Sequence, residues 1–136
     1  MFRKVSDAVS VAGQLAPADM ARAAERGFAV VVNNRPDGEA PDQPAGAEVA
    51  AAAAAAGLAY HALPIGHDGF PEERVAAMAR VLEQADGPVL AFCRSGTRST
   101  FLWALARARA GDDGATLAAQ AAAAGYDIAP IRPWLD

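Results

Sequence analysis

The residues best suited to chemistry crowd into one heptapeptide, Cys93-Arg94-Ser95-Gly96-Thr97-Arg98-Ser99. Cys93 is the single cysteine of the 136-residue chain. It follows an apolar stretch, GPVLAF, and precedes another, TFLWALARA, so the spacing predicts strand, tight loop, helix. A loop in that place sits at a helix N-terminus, where unpaired backbone N–H groups and the helix dipole favour negative charge. Gly96 lets the loop turn tightly with its N–H groups facing inward. Arg98 adds a bidentate clamp for an oxyanion. Ser99 or Thr100 is placed to donate a hydrogen bond to the sulfur. Each feature favours a thiolate over a thiol, so Cys93 is expected to be nucleophilic. Arg94, Ser95, Gly96, Thr97 and Ser99 then form the anion-binding loop. A lone cysteine at a strand end is ordinarily a packing residue. The spacing, with Gly at +3, Arg at +5 and Ser at +6, favours the catalytic reading.

Two other polar segments carry candidates. In GHDGF, Asp68 lies 25 residues before Cys93 and is the candidate general acid. His67 beside it is a rim candidate, and a solvated turn is the plain alternative for both. In NNRPDGE, residues Asn34, Arg35, Asp37 and Glu39 are candidates for the pocket rim, although PDG is also a good turn by itself. His61, inside a strand pattern, reads as a core or edge residue.

The elements that must hold these loops alternate along the chain. Residues 5–15 read as one or two short strands, and PADMARAAERG as a helix stopped by Gly27. FAVVVNN is a β-branched run typical of a strand buried on both faces. Residues 46–56 read as a helix closed by Gly57, and 58–64 as a strand. PEERVAAMARVLEQADG is the clearest helix, with Pro71, Glu72 and Glu73 suited to its first turn and Val75, Met78, Ala79 and Leu82 on one face. VLAF, 89–92, is the last strand. Helices follow over 99–110 and 114–124, then an irregular tail pinned by Trp134. The pattern predicts one α/β domain over residues 1–136, a sandwich with a mainly parallel sheet and helices on both faces. Ligands of such sheets bind beyond the carboxyl ends of the strands. Loops 33–45, 65–70 and 93–98 fall there.

Bulk composition bounds the function. Acidic residues outnumber basic ones, 16 to 12, for a net charge of −4. That argues against nucleic acid or an acidic membrane as partner. Alanine supplies 37 residues, so the apolar content overstates the core and much of it fills helices. No signal peptide or spanning helix is predicted, and a cytoplasmic location is expected. One cysteine excludes an intrachain disulfide and a cysteine-rich zinc site. No metal or cofactor is expected.

CxxGxR[ST] at a strand-to-helix turn resembles the active loop of rhodanese sulfurtransferases. It is also similar to the cysteine-phosphatase loop HCxxGxxR[ST] with one residue deleted. The chain as a whole most resembles the beta-lactamase hydrolase-like family, over about residues 3–110. GQL at 13–15, VVNNRPDGE at 31–39, LP at 63–64 and GPVLAFCRSGTRSTFLW at 87–103 carry this resemblance. It implies a dual-specificity-phosphatase-like fold, in members that stand alone or are fused to persulfide dioxygenase domains. No GHIxGA-like rhodanese segment occurs. The loop is one residue shorter than in phosphatases, and Phe92 stands where they usually carry His. These departures favour sulfur transfer through a Cys93 persulfide, from thiosulfate or a small persulfide to an external thiol, with a persulfide dioxygenase as a possible partner. The alternatives are a cysteine phosphatase with Asp68 as acid, and a non-catalytic module that binds an anion or persulfide.

Overall fold

Short β-branched and apolar runs build the middle of the sheet, because a strand covered on both faces needs apolar residues at every position. In the computed structural model, which describes residues 1–135, β2 (Val9–Ala12), β3 (Val30–Asn33) and β5 (Val89–Phe92) are buried throughout. The sheet also contains β1 (Arg3–Lys4) and β4 (Ala59–Ala62), in the order β1-β2-β5-β3-β4. Only β1 runs antiparallel; the other three pairings are parallel.

Alternation along the strands sorts the core into two layers. Val9, Val11, Val30, Val32, Val89 and Ala91 face α3 (Glu72–Gln84), α4 (Thr97–Arg109) and α5 (Gly114–Ala123). Ala12, Val31, Leu90 and Phe92 face α1 (Asp19–Glu25) and α2 (Gly46–Ala55). A mostly parallel sheet with helices on both faces is therefore the architecture that the alternation of elements implies. Among the described residues, no helix is long and apolar enough to cross a membrane.

Three local expectations change. The buried stripe of α3 is Val75, Met78 and Val81, with Ala79 and Leu82 only partly covered. The tail is a 3-10 helix over Ala129–Trp134 rather than irregular chain. Trp134 does not pin it, being 70% exposed. Ile128, Ile131 and Leu135 bury themselves instead, and each transfers about 1.5–3 kcal/mol worth of side chain out of water. His61 lies on the edge strand β4 and is exposed.

Register places the site. Ala12, Phe92 and Asn33 pair at one level, so the chain leaves β2, β5 and β3 side by side. Gly13, Cys93 and Asn34 therefore start three adjacent loops at the carboxyl edge of the sheet.

Candidate active site

Cys93 is wholly buried at the end of β5, its own N–H bound to Ala12 O at 3.3 Å. The chain then turns over Gly96, whose φ of +91° lies in the left-handed region that suits glycine. The Gly96 N–H donates to Cys93 Sγ at 3.2 Å. Sulfur is thus reached by a backbone donor, not by Ser99 or Thr100 as the residue types alone had implied. The Ser99 hydroxyl donates to Asn34 Oδ1 at 2.8 Å, and the Thr100 hydroxyl to Gly96 O at 2.8 Å. Both hydroxyls are buried, and inside a helix start the nearest acceptors win.

The loop is gripped through its carbonyls. Gln14 N–H donates to Arg94 O at 3.2 Å, and the Tyr126 hydroxyl donates to Ser95 O at 3.0 Å. A trans peptide points its C=O and N–H in opposite directions. Carbonyls held on the outside therefore turn the N–H groups of Ser95 and Gly96 to the inside. Among the described residues, the backbone N–H groups of Arg94, Ser95, Thr97, Arg98 and Ser99 have no protein acceptor. Together with the N-terminus of α4 they form a concave run of unpaired donors, the kind of feature that can hold an anion. Arg94 and Ser95 form its exposed rim, and Ser95 Oγ donates to Thr97 Oγ1 at 3.1 Å.

Arg98 is the partner of a half-buried carboxylate, Glu39. Its Nη1 donates to Glu39 Oε2 at 2.8 Å and to Ile65 O at 2.7 Å, and its Nη2 to Glu39 Oε1 at 2.9 Å. A guanidinium carries five N–H donors in a fixed fork. Three are used here; Nε–H and one Nη2–H are not claimed by Glu39 or Ile65 O, and the guanidinium lies within reach of Cys93. Arg35 braces the same carboxylate, Nε to Glu39 Oε1 at 2.9 Å, and reaches Gln14 Oε1 at 3.0 Å. The hydrogen bond from Arg98 leads; aided by Arg35 and both positive charges, it outweighs burial and holds Glu39 down at about 2. The Arg98 guanidinium is pushed up, first by its bond to Glu39 and further by the nearby Cys93.

The NNRPDGE segment supplies this frame. Asn34 is wholly buried, accepts from Ser99 and donates from Nδ2 to Leu63 O at 2.8 Å. Deleting its amide would strand both partners, at about 1–3 kcal/mol each. Gly38, at φ +77°, closes the PDG turn, and Gln43 bridges Glu39 N–H to Pro36 O. Asp37 serves the frame rather than the pocket, because its Oδ1 accepts from Gly46 N–H at 2.8 Å, at the start of α2. His67 and Asp68 are exposed on a short loop between two anchors, buried Ile65 and half-buried Phe70, whose ring lies 6.1 Å from that of Phe101. His67 Nε2 is 3.9 Å from Glu39 Oε2, which sets this loop beside the Arg98–Glu39 pair. Gln14 and Tyr126 escape a reading by residue type. Gln14 sits within the GQL signature; Tyr126 has no local sequence signal at all.

A cysteine and an arginine bracketing a backbone cradle after the central strand define a phosphatase-like α/β domain. Residues 1–110 match the family described as "Beta-lactamase hydrolase-like protein, phosphatase-like domain", and the chain belongs to that family. It is 32% identical over 98% of its length to the Beta-lactamase hydrolase-like protein of Agrobacterium fabrum, of which it covers 31%. The chain spans about a third of the length of the curated relatives it matches. Among solved structures it is similar to a candidate phosphatase, nma1982, of Neisseria meningitidis Z2491. That pair is 32% identical with a TM-score of 0.85, covering 98% of this chain and 95% of the other. Tk-PTP in its active form shares the fold, with a TM-score of 0.76 at 18% identity, over 98% of this chain and 92% of that one.

Proposed function

We propose that the chain is a cysteine-dependent phosphatase-type hydrolase acting on a small phosphate monoester. The observation that carries this reading is Arg98 set against Cys93, with two N–H donors unclaimed by Glu39 and Ile65 O, beside a loop of unpaired N–H groups. The Cys93 thiolate attacks phosphorus, the P–O bond to the leaving group breaks, and Asp68 gives that oxygen its proton. Water then attacks the phosphocysteine, Asp68 takes the proton back, and inorganic phosphate and the thiolate are released. Arg98 and the loop N–H groups stabilise the charge on the three equatorial oxygens. The family and its 32%-identical structural neighbour support this reading over sulfur transfer.

A specific observation keeps sulfur transfer as the second reading. The loop from Cys93 to Arg98 is one residue shorter than a phosphatase loop, and Asp68 forms no hydrogen bond or ion pair among the described residues. A sulfur donor such as thiosulfate needs no acid, because sulfite leaves readily. Cys93 would attack the outer sulfur, the S–S bond would break, and a thiol would remove the sulfur from the Cys93 persulfide. In that case an enzyme that consumes persulfides, such as a persulfide dioxygenase, is the partner to seek.

The test is hydrolysis of p-nitrophenyl phosphate by wild type, Cys93→Ser and Asp68→Ala. Loss in both variants supports the phosphatase. Loss in Cys93→Ser of cyanide- or thiol-dependent sulfur transfer from thiosulfate, with Asp68→Ala active, supports the second reading. Both activities intact in Cys93→Ser would sink both.

A further inference from the structure

The match to the family ends at residue 110, yet the cysteine loop is gripped by a residue beyond it. Tyr126 follows α5, which ends as Tyr126 N–H closes on Ala121 O at 2.9 Å. Arg3 of β1 holds this corner: its Nη1 donates to Ala124 O at 3.0 Å, and its guanidinium lies 5.8 Å from the centre of the Tyr126 ring. The phenol reaches back 31 residues to donate to Ser95 O at 3.0 Å. Its oxygen sits against Gly96, so closely that a Cβ there would collide with the ring's hydroxyl end. Ser95 O and Gly96 N–H belong to one peptide plane, and that N–H is the donor to Cys93 Sγ at 3.2 Å.

We infer that Tyr126 is a positioning residue for the nucleophile, fixing the Ser95–Gly96 peptide so that its N–H points at the sulfur. This rests on Cys93 being the reactive group, as proposed above. Donation to a carbonyl also polarises the same amide, which makes its N–H a better donor to a thiolate. The Tyr126 hydroxyl is itself pushed up, by burial first, against a lowering by Arg3 and with a further rise from Cys93. So the α5 corner, anchored to the edge strand by Arg3, is coupled to the catalytic loop through one hydroxyl.

The test is Tyr126→Phe, which keeps the ring and removes the donor. Cys93 alkylation by iodoacetamide is followed by intact mass across pH, with a thermal melt alongside. The melt is expected to stay within a few degrees of wild type. The alkylation midpoint is expected to move up by about half a unit, because a hydrogen bond to the charged form is weakened. An unmoved midpoint overturns the inference, whatever the melt does. In the wild-type protein, the Gly96 amide proton is expected to shift with the same midpoint as Cys93 alkylation. A Gly96 amide blind to that titration also overturns it. Neither readout involves a substrate. Failure of the phosphatase assay therefore leaves this result standing, and failure here leaves the role of Cys93 intact.

Discussion

The two halves of the cysteine loop are held in opposite ways. The half from Gly96 to Thr100 is largely buried, and its side chains are bonded into β3, its loop and Ile65: Ser99 to Asn34, and Arg98 to Glu39 and Ile65 O. The half at Arg94 and Ser95 is exposed, and its links to the rest of the fold run through its carbonyls, to Gln14 N–H and the Tyr126 hydroxyl. The same contrast divides the two arginines. Arg98 is braced by a carboxylate fixed by a second arginine, whereas Arg94 forms no ion pair among the described residues. Chemistry that needs a fixed charge thus belongs to the inner half. The outer half fixes peptide planes and leaves its side chains to solvent.

Breaking the inner half should cost most. Cys93→Ser is expected to lower turnover by about three orders of magnitude or more, the scale of removing a nucleophile. Steady-state assays with the aryl phosphate, and with thiosulfate plus a thiol, measure this. Arg98→Lys is next. A point charge cannot keep both a bidentate carboxylate and an oxyanion, so kcat/KM should fall about a hundredfold, with most of the loss in kcat.

Glu39→Gln sharpens the contrast through pH. The folded-state value of Glu39 is depressed from 4.5 to about 2. Its contribution to stability is therefore present above about 4.5 and is lost as pH falls towards 2. Melting temperatures of wild type should drop across that window by more than those of Glu39→Gln. At neutral pH the variant should be the less stable of the two. Equal slopes would mean that the Arg98–Glu39–Arg35 cluster adds nothing to folding. In the outer half, Arg94→Ala should change kcat/KM by no more than about threefold, because an exposed, unpaired charge steers a substrate without fixing it. A larger loss would move Arg94 into the binding site proper.

The strands, their parallel pairing and the cysteine loop were legible because their signals are local. VVV and VLAF must be buried on both faces, and a glycine three residues after Cys93 must close a turn. The identity of the sulfur's hydrogen-bond donor was not legible. Ser99 and Thr100 have the right groups, but Asn34 is 65 residues away in sequence and outcompetes the sulfur for Ser99. Glu39 stood out only as one carboxylate in a turn-rich loop. Its partnership with Arg98 joins positions 59 residues apart, which no periodicity encodes. Trp134 misleads because size does not guarantee burial, and the smaller Ile131 and Leu135 fill the space. Tyr126 lies in a segment with neither period nor motif, so only the fold brings it to Ser95.

The most direct test is rapid-quench intact mass of the protein mixed with p-nitrophenyl phosphate, with thiosulfate as a parallel donor. One phosphoryl group on Cys93 is expected during turnover, absent in Cys93→Ser and retained longer in Asp68→Ala. Turnover without any adduct on Cys93, or one added sulfur atom from thiosulfate and no phosphoryl group, would contradict it. The second of those outcomes would assign the site to sulfur transfer.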